Sequence, residues 1–469
     1  MIKQTGKYGI LLLIAVLVLG INSCKKKDKI DTSPSIHLRF STDTVFFDTV
    51  FTTIGSVTQK LMVYNDNPNK VLVSSIRMGS AGSSNFRINI DGVSATSATD
   101  IEIPAKDSIY IFVRVTVDPR NQNNPMIIAD SLLFSMNGNF QNVKLVAWGW
   151  DAHFYRNKEL QGNVTFDSLK PHVVFGYLRV DTAANLTILA GCKIYFHKDA
   201  YLAASFQSTL KVEGTLEHPV RFQGDRLDPY YRDLPGQWDG IFFEKGSKEN
   251  EINYAIIKNG NTGIQVDSAS TSSLPMLKLE NTIIQNVTGP GLYAYASSIK
   301  SINLVVGNCG SSAVALVFGG SYEFFHLTIG NYWSSSVRLD SSLYLSNYTY
   351  DNLGVKRSNA LTKAYFGNII LYGNQDNELE FDIEPSAEFS FTFDHCLLKT
   401  RKKISDPTHF TQCIVNQDPL FINPLLYDYR IDSLSPARRQ GILIVGAEFD
   451  IREVYRGAVP DLGAYQYFK

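Results

Sequence analysis

The residues best placed to do chemistry recur at fixed positions in a set of short alternating strings. These are Gly240-Ile241-Phe242-Phe243-Glu244, Gly263-Ile264-Gln265-Val266-Asp267, Gly291-Leu292-Tyr293-Ala294-Tyr295, Ala313-Val314-Ala315-Leu316-Val317 and Ser336-Val337-Arg338-Leu339-Asp340. Their apolar positions alternate with polar or aromatic ones, so one face meets a core and the other meets solvent. If the strings stack in register, the outward positions read Phe242, Gln265, Tyr293, Ala315, Arg338 and Glu244, Asp267, Tyr295, Val317, Asp340. Leu379-Glu380-Phe381-Asp382 extends both columns. Stacked strands lie about 4.8 Å apart, which would bring Glu244 beside Asp267 and Arg338 beside Glu380. A carboxyl pair is the apparatus of glycoside hydrolysis. A base with a neighbouring cation is that of uronate elimination, the one chemistry here that would call for calcium. Tyr293 and Tyr295 between such acidic ends would form a strip on which sugar rings stack while carboxylates take their hydroxyls. The plainer reading is that outward strand positions are polar or aromatic by default.

A second candidate is the stretch Gly224 to Trp238, dense in Arg, Asp and aromatic residues. Tyr230, Tyr231, Arg232 and Trp238 could present a recognition surface on a loop held by a rigid scaffold. Equally, the loop could pack on its own scaffold through internal ion pairs. The eight histidines and five cysteines are dispersed, with no HExxH and no CxxC, so no metal site is expected. Cys192, Cys309 and Cys396 lie in or beside apolar runs, where a thiol packs as a small hydrophobe. With Cys413 they are read as core thiols rather than a disulfide framework.

The scaffold follows from a repeat. Ala255-Ile256-Ile257-Lys258-Asn259, Thr282-Ile283-Ile284-Gln285-Asn286, Leu304-Val305-Val306-Gly307-Asn308, Leu327-Thr328-Ile329-Gly330-Asn331 and Ile370-Leu371-Tyr372-Gly373-Asn374 are versions of one unit. The period is about 22 residues with one long insertion before the last copy, the spacing of a solenoid coil. Units this short bury their apolar faces only by stacking on neighbours. Leu186 to Ile194 and Leu210 to Gly214 read as earlier rungs of coils starting near Val164, and Phe393 to Leu398 as the last.

These strings resemble the right-handed parallel β-helix of the pectin-lyase-like group. The resemblance implies that Asn259, Asn286, Asn308, Asn331 and Asn374 form a structural ladder of stacked amides at a tight turn. It also implies that Asp418-Pro419-Leu420-Phe421 and Val459-Pro460-Asp461-Leu462-Gly463-Ala464 belong to a closing cap. Many relatives act on polysaccharides, but the Asp-Asp, Gly-His-Gly and Arg-Ile-Lys motifs of polygalacturonase-like members are absent from this sequence.

Upstream, short runs such as Thr44 to Phe51, Val71 to Met78, Ser108 to Val117 and Asn142 to Trp148 are punctuated by Asn65-Asp66-Asn67-Pro68 and Asp91-Gly92, the spacing of a β-sandwich. With Phe47-Asp48-Thr49-Val50 and Val146-Ala147-Trp148-Gly149, they resemble the immunoglobulin-like domain of the abnormal-spindle and hydin type.

At the start, Lys3 and Lys7 precede an unbroken apolar run from Ile10 to Leu19, then Ile21-Asn22-Ser23-Cys24. The run falls short of the ~20 residues that span a bilayer as a helix. Its ending resembles a bacterial lipobox, which implies lipidation of Cys24 and a membrane anchor. Lys+Arg of 44 against Asp+Glu of 45 leave a net charge of −1 and no electrostatic footprint for nucleic acid.

The sequence therefore predicts an all-β chain: leader 1–23, lipidated Cys24 and tether 24–35, immunoglobulin-like sandwich 36–152, right-handed parallel β-helix 153–415 and closing segment 416–469. The expected partners are a membrane through the lipid and a polysaccharide or another envelope component, without nucleic acid and without a cofactor. The expected location is the cell envelope, at the outer membrane. Binding without catalysis is preferred to a polysaccharide lyase or hydrolase.

Overall fold

A computed structural model describes residues 29–468 except 52–55, 57, 91, 117–125 and 269–273. The leader and Cys24 lie outside the described residues. The chain is all-β and divides into two compact units, one running to Trp150 and one beginning at Asp151. Among the described residues, no helix is long and apolar enough to cross a membrane.

The first unit is a sandwich of two five-stranded sheets. Thr44–Phe51 pairs in parallel with Asn139–Trp150, while that strand's other edge runs antiparallel to Met126–Met136. Alternation puts Val71, Val73, Phe86, Ile111, Val113, Phe134 and Leu145 into one core. Residues 30–35, expected to belong to a free tether, are instead docked on this unit. Asp31 N–H donates to Lys70 O (2.9 Å), and the Asn137 amide donates to Asp31 O (3.0 Å) and Ser33 O (3.1 Å). Short polar side chains that bond local backbone hold a segment that has little apolar surface to bury.

The second unit is a parallel β-helix whose strands stack into three faces. The first carries Tyr201–Ala204, Gly240–Phe243, Ile264–Val266, residues 292–295, residues 314–317, Leu343–Ser346 and Leu379–Asp382. The second runs through Thr209–Glu213, Leu277–Glu280, residues 320–325 and Leu361–Gly367, and the third through the repeated Ile-Ile strings. Inward side chains make one continuous core, including a file of stacked rings from Phe324 through Phe366 and Phe393 to Phe410. The solenoid opens at His153–Leu160, ahead of the coil expected to start near Val164, and closes at Ile414–Val415, one rung after Leu397–Leu398, within the bounds 153–415 expected from the sequence.

The tight turn between the second and third faces is made by Tyr254, Asn281, Asn303, His326, Asn368, His395 and Gln412, all at positive φ. Asn tolerates this conformation because its short amide bonds locally. The amides also stack: Asn281 Nδ2 donates to Asn253 Oδ1 (2.9 Å) and Asn303 Nδ2 to Asn281 Oδ1 (2.9 Å).

The ladder expected at the far end of the same strand is less complete. Asn308 Nδ2 donates to Asn286 Oδ1 (2.8 Å), but Asn259 turns to the carbonyls of Arg232 and Leu234. Asn331 donates to Ser311 O, and Asn374 lies between Trp333 O and the Arg338 guanidinium. For Asn259 and Asn374, inserted loops supply the partners that an amide would otherwise seek on the next rung.

The C-terminal segment does not cap the end of the helix. It runs along the third face, where Tyr429, Ile451 and Ala464 cover Val305, and Ile431, Ala437 and Leu462 cover Ile370 and Leu397. The turn residues hold it there. Arg456 Nη2 donates to Asn303 Oδ1 (2.7 Å), the Asn368 amide exchanges bonds with Ile442, and His326 Nδ1–H donates to Gly463 O (3.1 Å).

Candidate functional site

The first face carries its outward side chains as a lane along the solenoid. Strand register lines up Arg179, Ala203, Phe242, Gln265, Tyr293, Ala315, Tyr344 and Glu380. At about 4.8 Å per rung, the column spans about 34 Å. Beside it run Glu244, Asp267, Tyr295, Val317, Ser346 and Asp382, whose backbones continue the same ladder. At the upstream end, Tyr177 and Tyr201 stand 6.1 Å apart, and Tyr201 meets Phe242 edge-on at 5.7 Å. Tyr295 lies 5.1 Å from Phe318 in the middle of the lane. These rings are half-buried.

Arg338 is not part of this lane. Residues 336–340 form no strand, and the rung belongs to Leu343–Ser346, so Tyr344 rather than Arg338 stands beside Glu380. Arg338 is buried in a bidentate pair with Glu378 (2.9 and 2.8 Å), and Glu378 also accepts from the Ser342 hydroxyl (2.6 Å). The planar guanidinium matches the carboxylate fork and closes the loop over the coil. Glu378, absent from the expected set, is the partner that sequence spacing alone placed two residues too late.

The lane carboxylates are individually compensated. Glu244 lies 3.3 Å from Arg179, Asp267 accepts from Gln265 Nε2 (3.0 Å), and Glu380 bonds Lys402 Nζ (2.7 Å). Asp382 accepts from the hydroxyls of Tyr344 (3.0 Å) and Tyr348 (2.8 Å). Among the described residues, no three His, Cys, Asp or Glu side chains converge as ligands for an ion. This donor set does not fit calcium, which takes six to eight converging oxygens. Burial, reinforced by Tyr295 and Asp267, raises the Tyr293 phenol above its ordinary pKa and keeps it a neutral hydroxyl.

The sequence reading missed a hairpin on the downstream half of the lane. Tyr348–Tyr350 pairs antiparallel with Lys356–Ser358, and Lys356 Nζ stands 4.4 Å above the Tyr348 ring. Between hairpin and lane opens a groove of about 510 Å³ lined by Tyr295, Phe318, Tyr350, Asp351, Leu353 and Arg357. The long gap before the last repeat was its sequence signal.

Trp238, expected on a recognition loop, is fully buried. Its ring stacks on Phe196 at 4.1 Å and its Nε1–H donates to Lys258 O (2.8 Å). A ring this large in the strand-entry position fills the core, and its N–H finds a carbonyl. The preceding loop is largely tied down. Lys258 Nζ donates to Arg232 O (2.8 Å) and pairs with Asp233 (3.1 Å), while Arg226 covers the Tyr231 ring. Tyr230 projects into solvent. The structure therefore brings Tyr293, Tyr295, Glu244, Asp267 and Glu380 onto one lane and separates Arg338 and Trp238 from it.

No family model matches the sequence, and no curated protein matches it. Solved structures to which the chain is similar include PapD-like domain 7 of human CEP192, at 8% identity and TM-score 0.19, covering 26% of this chain and 92% of that one. A protein of unknown function from Porphyromonas gingivalis aligns at 14% identity and TM-score 0.18, over 27% and 60% of the two chains. A family 123 glycoside hydrolase from Clostridium perfringens aligns at 8% identity and TM-score 0.18, covering 26% of this chain and 30% of that one.

Proposed function

We propose that this protein binds a polysaccharide along the first face of its β-helix, without cleaving it, while anchored to a bacterial envelope membrane through lipid on Cys24. The observation that carries the reading is the lane itself: Tyr201, Phe242, Tyr293, Tyr295 and Tyr344 are interspersed with Glu244, Asp267 and Glu380 over about 29 Å. Half-buried aromatic faces offer contact area at low conformational cost, and flanking carboxylates and amides accept from sugar hydroxyls.

The ion pairing favours a neutral glycan over a polyuronate. Arg179 and Lys402, cations at the two ends, are already held by Glu244 and Glu380, so a carboxylated sugar would have to displace them. The same pairing argues against catalysis, because a lyase or hydrolase needs a carboxyl group free to move a proton at the reacting bond. The apolar run Ile10 to Leu19 ending at Cys24 supports the anchor, and the β-helix repeat supports kinship with the pectin-lyase-like group.

The test presents neutral and acidic polysaccharides to the purified protein and reads retention and new reducing ends together. Retention on neutral glycans, weakened about tenfold or more by Tyr293→Ala, is the expected result. New ends that vanish in Glu244→Gln would overturn it in favour of a hydrolase. Absence of both retention and cleavage would shift the role to an envelope protein partner.

A further inference from the structure

The residue after each positive-φ turn points into the solenoid, and this column reads Ala255, Thr282, Leu304, Leu327, Ile369, Cys396, Cys413. Its last two members are thiols on adjacent rungs. Leu397 pairs with Ile414 in parallel, and Ile414 N–H donates to Cys396 O (2.8 Å), which puts the two cysteines at the same level. Each Sγ also faces the carbonyl of a Phe one rung back: Cys396 that of Phe366 (3.2 Å) and Cys413 that of Phe393 (3.5 Å). Facing residues on adjacent parallel strands have Cα atoms about 4.8 Å apart, inside the range of about 4.4–6.8 Å that a disulfide bridges.

We propose that Cys396 and Cys413 are an oxidisable pair that closes into a disulfide, stapling the final rung of the β-helix to the one before it. The oxidant is a small-molecule or protein disulfide. Cys413 is half-buried and Cys396 fully buried, so Cys413 attacks first, as its thiolate. One sulfur of the oxidant leaves as a thiolate, and a mixed disulfide forms on Cys413. Cys396 then gives up its proton and attacks Cys413 Sγ, expelling the second sulfur of the oxidant. Two protein thiols are oxidised by two electrons, and one disulfide is reduced to two thiols. A hydrogen bond from Cys396 lowers the Cys413 pKa, in keeping with its role as the attacking thiol, while burial raises that of Cys396. The staple falls where it has most effect, since an end rung has a neighbour on one side only and opens first.

The full chain, reduced and then exposed to oxidised glutathione, is unfolded, alkylated and digested. The expected result is a mass lower by two hydrogen atoms, one linked peptide joining Cys396 to Cys413, and alkylated Cys192 and Cys309. In Cys396→Ser the reaction stops at a glutathione adduct on Cys413. The proposal is overturned if the wild-type protein keeps that adduct without closing, if all four thiols alkylate, or if Cys413 links to a different cysteine.

Discussion

Tyr429 occupies the space that a side chain on Gly307 would need. A Cβ on Gly307 would overlap the phenol ring and hydroxyl of Tyr429, and one on Gly330 would overlap the other edge of the same ring. The two glycines sit where the preceding rungs carry Lys258 and Gln285, so the third face is hollowed at two consecutive coils to seat one aromatic ring. Gly307→Val should therefore unseat Tyr429 and lower stability by about 1–3 kcal/mol, the range for overpacking a filled core. Tyr429→Ala should add little further destabilisation in the Gly307→Val background, because the two residues share one contact. Urea unfolding of the single and double variants measures this, and full additivity would show that the two sites are uncoupled.

The turn amides predict a different failure. Asn303 joins Asn281 on one side and the buried Arg456 on the other, and burial already depresses that guanidinium to a pKa of about 10. Asn303→Ala removes an acceptor from a desolvated cation, and stranding a buried polar group costs about 1–3 kcal/mol, more when it is charged. The C-terminal segment should loosen before the solenoid does. Hydrogen exchange would register it as faster exchange at Ile451 and Ala464, with Leu304 and Val306 unchanged.

How far the sequence discloses all this depends on whether a residue's alternation has one cause or two. Gln265, Tyr293 and Glu380 are readable as outward positions because each stays half-exposed beside polar neighbours, so its type follows from one cause, facing away from the core. The adjacent apolar pairs Ile283-Ile284 and Val305-Val306 break that simple rule. One member meets the core and the other meets the C-terminal segment, so the doubled apolar residue was the sign of a covered outer face. Arg338 misled for the opposite reason. Val337 and Leu339 imitate a strand in sequence but are 83% and 86% exposed, because the true rung, Leu343-Tyr344-Leu345, lies beyond an insertion whose length no local pattern reveals. Asn281 and Asn303 stand five residues before Asn286 and Asn308 and share their spacing, so periodicity alone cannot say which set makes the tight turn.

Trp238 and Tyr230 separate packing from recognition within one loop. Trp238→Ala would open a cavity beside Phe196 and orphan Lys258 O, at a cost of about 3–5 kcal/mol. Tyr230 is 75% exposed, and Tyr230→Ala should stay within about 0.5 kcal/mol of the parent. Thermal unfolding ranks the two. A Trp238→Ala protein as stable as the parent would contradict the buried stack.

Acid should act on the first coil through His172. Its ring stacks on Phe166 at 4.1 Å, its Nε2–H donates to Asp167 O (3.0 Å), and its Nδ1 accepts from the Tyr155 hydroxyl (3.0 Å). The second bond requires the neutral ring, because a protonated Nδ1 no longer accepts, whereas the first survives protonation. Burial lowers its pKa from the ordinary 6.5 to about 4, with His153 nearby adding to the effect and Asp167 opposing it. Between these values the unfolded chain binds a proton that the folded chain refuses, so stability rises with pH across the window and is fully present above 6.5. Acidification from pH 7 to 4 should cost about 3 kcal/mol through this group. His172→Phe keeps a ring on Phe166 but cannot titrate, so its absolute stability falls while its stability changes less steeply over pH 4–6.5. Denaturant midpoints of both proteins at half-unit pH steps give the difference directly, and parallel curves would show that His172 is not the group responsible.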